Sequence, residues 1–264
     1  MAPIAVSLIS ITLYCSATGH LAWHIHKGQA VNKAIFFALS IAAIALHSYS
    51  SATTLNTAEG FQFGFFKIGS LFGCLTAFLT LAACLYRPVE NLALLSFPVA
   101  AISIISSLSA VTETAPIQIS NQILVHIILS ILAYSVLTIA GGQAVLLAIQ
   151  DYRLKRKQTE GIVKLLPPLQ TMEHLLFEML WVGVFLLSAS IFSGLIFLDD
   201  LFAQHLVHKS TLSISAWVVF VGLLMGRYFL GWRGTLAIRW TLVGFSLLML
   251  AYFGSKLVLE VFLA

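Results

Sequence analysis

Apolar residues run through this chain in long blocks, with the polar positions gathered between them. Eight blocks, at about 3–23, 34–52, 67–86, 92–111, 122–149, 175–198, 211–230 and 239–259, approach the roughly 20 mainly apolar residues that a spanning helix needs. The expected fold class is all-α: a polytopic membrane protein, an eight-helix transmembrane bundle, with residues 1–264 forming a single integral membrane domain. The fifth block is the longest and runs from Asn121 to Gln150 without a break. Within it His126, Ser130, Tyr134 and Thr138 recur every four residues. At 3.6 residues per turn these four positions draw one slowly drifting polar stripe on a single helix face.

The connections between blocks set the expected orientation. Lys27 and Lys33, then Arg87, then Arg153, Lys155, Arg156, Lys157 and Lys164, then Arg227, Arg233 and Arg239 flank the odd-numbered connections, which is eleven of the fourteen basic residues. The opposite side has Lys67, Lys209 and Lys256, together with Glu59, Glu113, Asp199, Asp200 and Glu260. The excess of basic residues in cytoplasmic loops then predicts that both termini are outside.

Several connections carry further expectations. Phe61, Phe63, Phe65 and Phe66 suit a headgroup-level aromatic belt, or alternatively a cleft for a flat apolar ligand. The run Arg153 to Lys157 reads as an anchor beside acidic lipid headgroups. After Pro167-Pro168, the positions Leu169, Met172, Leu176 and Met179 predict a short amphipathic helix lying along the interface before the sixth span. Gly222 and Gly226 form a small-xxx-small pair, which implies close packing.

Composition sharpens the class. The chain is 59% hydrophobic and 9% charged, against about 25% charged in a soluble domain. Its net charge of +4 needs no nucleic-acid partner, because the basic loops account for it. Cys15, Cys74 and Cys84 all lie in apolar blocks without a CxxC, so neither a disulfide framework nor a zinc knuckle is expected. Phosphate loops, HExxH and paired carboxylates within a span are absent from the sequence, and no catalytic residue is assigned. Met1-Ala2-Pro3 has no basic n-region, so the first block is read as a retained span.

The histidines are the remaining chemistry. His20, His24, His26 and His174 fall at the basic side and read as wet or headgroup-facing. His47, His126, His205 and His208 come from three separate elements that the topology sends to the opposite face. A polar side chain within a span must be paired or line a cavity, and imidazole is also a common axial ligand of haem iron. For His47 a purely structural reading stays open, because Ser48, Ser50 and Ser51 offer nearby partners.

The run Leu124 to Tyr134 resembles the "MHVxxMxLSYAALL" helix of cytochrome c assembly proteins of the CcsA type. Leu169 to Gly194 looks like that family's "LDxxSYRxxxxGFxLLTxGIxSG" stretch, ending on Ser193-Gly194. Ser215 to Phe220, Arg227 and Gly231 to Gly234 resemble "TWxxFAxxLHxRxxxGWxG", and Tyr252-Phe253-Gly254 resembles the closing "YFGVN". The likeness is strongest over residues 121–256, sits in an assembly-like region of about 67–259, and the whole chain resembles the shorter HemX/YpjD-type inner membrane proteins. It departs from the family in the tryptophan-rich loop "WGxxWxWDPKE": only Lys209 of Phe202 to Ser210 matches, and His208 stands where the family has proline. The family's last outer histidine also has no counterpart after Lys256.

The resemblance implies a multi-pass protein of the bacterial inner membrane that binds haem and takes part in cytochrome c biogenesis. His126 carries over as the haem ligand, with His47 and His208 as candidate opposite ligands and Tyr134 and Trp217 as pocket-lining groups. The implied partners are membrane lipids and either cytochrome c maturation proteins or haem biosynthesis enzymes. A membrane regulator of haem biosynthesis without synthetase activity, and a small-molecule transporter, remain the alternative readings.

Overall fold

A computed structural model describes residues 2–57, 60–87, 89–109, 120–158, 163, 166–197 and 207–254. Among them are eight α-helices: α1 (Ala2–Lys27), α2 (Lys33–Leu55), α3 (Phe65–Tyr86), α4 (Ala93–Ser109), α5 (Asn121–Lys155), α6 (Leu169–Phe197), α7 (Val207–Leu230) and α8 (Thr235–Met249). A 3₁₀ turn, Glu90–Leu92, leads into α4, and a π-helical turn, Leu250–Gly254, extends α8. With these turns included, all eight elements are long and apolar enough to cross a membrane.

Helix ends follow local chemistry. The Asn32 side chain accepts from Ile35 N at 3.3 Å and the Ser120 hydroxyl from Ile123 N at 3.4 Å. Each thereby satisfies one of the free N–H groups at its helix start. α1 ends at Gly28, whose φ of +63° suits glycine. Gly28 N donates to Ile25 O at 3.1 Å and Gln29 N to His24 O at 3.0 Å, so the last carbonyls are satisfied as the chain turns. Between α2 and α3 a two-stranded ribbon pairs β1 (Asn56–Thr57) with β2 (Gly60–Phe61) in antiparallel register. The aromatics after it are half-buried: Phe61 stacks on Phe63 at 5.7 Å and Phe65 meets Phe66 edge-on at 4.9 Å.

The helices form two compact units, α1–α4 and α5–α8. In the first, α1 packs on α2 and α4, and α3 packs on the same two helices, closing a ring of four. Its core holds Tyr14, Phe36 and Phe97, with Phe97 5.4 Å from Tyr14 and 5.9 Å from Phe36. α3 and α4 approach closely at Gly73, where a β-carbon would lie 2.2 Å from Ser103 Oγ and 3.2 Å from the Ala100 backbone. Lys33 pairs with Glu90 at 2.8 Å and ties the start of α2 to the turn before α4.

The second unit repeats the ring: α5 packs on α6 and α8, and α7 packs on the same two. Leu137, Leu147, Leu176, Leu180, Leu187 and Phe220 fill its interior. Trp181, Phe185, Phe192, Tyr228 and Phe229 are exposed, the arrangement suited to faces turned toward lipid rather than water.

Two local expectations change. The segment after Pro167-Pro168 is no separate interfacial helix; it forms the first turns of α6, with Met172, Leu175 and Leu176 buried. Gln143 Nε2 of α5 donates to Met172 O at 3.0 Å, and Gln150 Nε2 donates to Pro167 O at 2.9 Å, which docks this start onto α5. The close packing at Gly226 is against a tryptophan ring: a β-carbon there would lie 2.3 Å from Trp232, which itself packs 5.2 Å from Trp240 of α8.

Candidate functional site

The polar stripe of α5 is turned inward within the second unit and met by serines of two other helices. His126 Nδ1 lies 3.0 Å from the Ser190 carbonyl oxygen and 3.1 Å from Ser193 Oγ, both on α6. Ser130 donates to its own helix at His126 O (2.7 Å), so the 2.7 Å contact between the Ser130 and Ser190 hydroxyls takes its hydrogen from Ser190. One turn further on, Tyr134 OH pairs with Ser213 Oγ of α7 at 3.2 Å, and its ring meets Tyr252 edge-on at 6.1 Å. Thr138 and Ser135 carry buried hydroxyls with no hydrogen-bond partner among the described residues.

Trp217 of α7 joins the same unit. Its Nε1 donates to Ser188 Oγ at 2.7 Å, and Ser188 donates in turn to Val184 O at 2.8 Å. α6 thus receives His126 from one neighbouring helix and Trp217 from another through serines two to five residues apart: Ser188, Ser190 and Ser193.

His126 is half-buried, and its Nε2 has no hydrogen-bond partner among the described residues. A carbonyl can only accept, so Nδ1 carries the proton and the Nε2 lone pair is available in the neutral ring. That is the arrangement found at metal-ligating histidines, whose second nitrogen donates to a carbonyl or carboxylate. The residues present therefore suit a single imidazole bond to an iron centre.

His47 sits differently. It is fully buried in the first unit, with Nδ1 3.3 Å from Tyr14 OH and Nε2 2.9 Å from Ser70 Oγ. Its partners come from α1 and α3 and not from its own helix: Ser48 turns to Cys74 Sγ (3.2 Å), Ser50 to Ser7 (2.6 Å) and Ser51 to Ser70 (3.4 Å). His208 belongs to the first turn of α7, and its side chain, like the whole of His205, lies outside the described residues.

One cluster escaped the sequence reading. Glu173, 6% exposed, accepts from Arg227 Nη1 at 3.0 Å, Arg233 Nε at 3.2 Å and Gly234 N at 3.1 Å. Arg227 also donates to Trp232 O at 3.2 Å and lies 4.7 Å over the Phe177 ring. This carboxylate clasps α6 to the α7–α8 turn, where Gly234 adopts a positive φ (+58°) and gives its N–H to the carboxylate. A glutamate among apolar residues, with two arginines around a Gly-Trp-Arg-Gly turn, was the available signal.

The family model described as "Cytochrome C assembly protein" matches residues 7–263. The match reaches far into the first unit, beyond the region where the motif resemblance was strongest. "Inner membrane protein YpjD" of Escherichia coli (strain K12) is 41% identical over 135 residues, 51% of this chain and 51% of that protein. An "Uncharacterized 28.8 kDa protein in nifR3-like 5'region" of Azospirillum brasilense is 31% identical over 140 residues, 52% of each chain. The matched stretch thus spans about half the length of these curated relatives. No solved structure matches.

Proposed function

Because this chain belongs to the cytochrome c assembly family, we propose that it is an inner membrane protein that binds haem at its outer face and holds it for cytochrome c maturation. The observation that carries this reading is the half-buried His126, with Nδ1 bonded to a backbone carbonyl and Nε2 unpartnered. Imidazole presented in this way is a competent axial ligand. Tyr134, two turns along α5, and Trp217 of α7, bonded to Ser188 of α6, would supply flat amphipathic surface for a porphyrin. Haem is cargo in this reading, and no covalent step is assigned to the chain.

His126 Nε2 is the atom that would hold the iron. Of the two candidate opposite ligands, His47 would first have to surrender a bond to Tyr14 or Ser70. His208, at the start of α7 in the same unit as His126, has the better claim. Partners in this reading are lipids and the proteins that receive or supply the haem. The eight spans and the YpjD likeness both support an inner membrane setting.

The test is a haemin titration of the detergent-purified protein, followed by its Soret absorption. Wild-type protein should develop a saturable Soret band that His126→Ala loses. A band of the same intensity and affinity in His126→Ala would overturn the ligand assignment. A deletion strain should be deficient in c-type cytochromes; normal levels would overturn the maturation role and point instead to regulation of haem synthesis.

A further inference from the structure

We propose that Ser193, together with the backbone carbonyl of Ser190, is the positioning device that fixes the tautomer of His126 and presents its Nε2 as the ligand atom. The inference rests on the haem-binding reading of the same site, but its first half concerns the protein without haem. Three distances define the device. Ser193 Oγ donates to Ser190 O at 2.8 Å, His126 Nδ1 lies 3.0 Å from that same carbonyl oxygen, and it lies 3.1 Å from Ser193 Oγ.

The hydrogens can be placed by elimination. A carbonyl oxygen has no hydrogen to give, so the 3.0 Å contact requires an N–H at Nδ1. Ser193 has one hydroxyl hydrogen and directs it to Ser190 O, so toward the imidazole it too presents a lone pair. Nδ1–H is therefore shared between two acceptors, and neither can take over as donor. In the neutral ring this leaves the lone pair at Nε2. The two acceptors also define a plane for the ring, because rotation toward one lengthens the bond to the other.

The device is rigidly mounted. Ser190 and Ser193 are 4% and 6% exposed, so water does not compete for Nδ1–H. Ser130, one turn along α5, receives the Ser190 hydroxyl and donates to His126 O, pinning the two helices at the level of the imidazole. The spacing explains the sequence requirement. Residues 190 and 193 fall on one face of α6, and 126 and 130 fall on one face of α5, at the i, i+3 and i, i+4 separations that bring side chains together.

Nitrogen-15 NMR of histidine-labelled apoprotein in detergent, at mildly alkaline pH, tests the tautomer directly, with the His126 resonances assigned by their loss in His126→Gln. Protonated Nδ1 and bare Nε2 are expected; a ring protonated on Nε2 would overturn the proposal. Haemin affinity then tests the positioning. Ser193→Ala should weaken binding about tenfold, the lower end of the 10–100-fold effects of removing a partner of a metal ligand. It should also raise the haem midpoint potential, since an imidazole with a weaker Nδ1 bond donates less to iron. Ser193→Thr, which keeps the hydroxyl, should restore both; a purely structural serine would leave the potential unmoved.

If Ser193→Ala binds haemin with wild-type affinity and potential while His126→Ala does not bind, the positioning role is overturned and the ligand reading stands. If His126→Ala binds like wild type, the ligand reading fails, while the apoprotein NMR still decides the tautomer.

Discussion

Among the described residues, each four-helix unit has one histidine hydrogen-bonded to a neighbouring helix, and the two are held in opposite ways. His47 in the first unit has both nitrogens on hydroxyl groups, Tyr14 and Ser70, and no exposed surface. A hydroxyl can donate or accept, so neither contact dictates where the imidazole proton sits. His126 in the second unit has one nitrogen on a carbonyl, which dictates the proton, and the other nitrogen without a partner. The first arrangement saturates a histidine and suits it to binding helices together. The second leaves one atom of defined chemistry free. Identical side chains in matching four-helix rings thus support different roles, and the difference lies in the hydrogen-bonding type of the partners.

The largest effect falls on the ligand itself. His126→Ala should abolish haemin binding, a loss of at least about 100-fold, because removing a ligand exceeds the 10–100-fold cost of removing a ligand's own support. His47→Ala should leave haemin affinity within about twofold and act on the fold instead. It strands the Tyr14 and Ser70 hydroxyls and opens a cavity in a fully buried site. Two membrane hydrogen bonds at ~0.6–1.7 kcal/mol each come to about 1–3 kcal/mol, and the void adds to that loss, to be read from denaturation in detergent. Loss of the Soret band in His47→Ala at full folded yield would reverse the two assignments.

A smaller effect separates the second unit's two ends. Glu173→Gln removes the charge that Arg227 and Arg233 share. A buried pair broken on one side can cost 3–5 kcal/mol. Here Arg227 and Arg233 retain 31% and 58% of their side-chain exposure, so water screens the orphaned charges. About 1–2 kcal/mol is the reasonable expectation, with the haemin spectrum unchanged. A spectral shift in Glu173→Gln would mean that the clasp and the histidine site are coupled.

The helices were legible in the sequence because an apolar run of spanning length has few alternatives in a bilayer. The stripe from His126 to Thr138 was legible because period alone determines a helix face. What period cannot supply is the neighbour. That His126 would meet Ser190 and Ser193, or His47 reach Ser70 past the serines of its own helix, depends on which helices pack together. The start of α6 was misread for the same reason. The shared face of Leu169, Met172, Leu176 and Met179 predicts an interfacial helix, whereas Met172 and Leu176 are buried and the charge of Glu173 between them is met by arginines 54 and 60 residues away. The connection with His205 and the His208 side chain lies outside the described residues, so the candidate opposite ligand stands on the sequence alone.

The finest test of the comparison is Tyr14→Phe. The substitution keeps the ring that packs against Phe97 and removes only the hydroxyl 3.3 Å from His47 Nδ1. His47 can respond by placing its proton on Nε2 and donating to Ser70, because that hydroxyl can accept as readily as it donates. One weak bond is lost and one lone pair is left bare, so the cost should stay near the membrane average of about 0.6 kcal/mol. No such adjustment is open to His126, whose carbonyl partner cannot reverse its role. Thermal unfolding in detergent should therefore show a small shift for Tyr14→Phe, with haemin affinity and midpoint potential unmoved. A change in potential would place His47 on the iron and end the distinction between the two histidines.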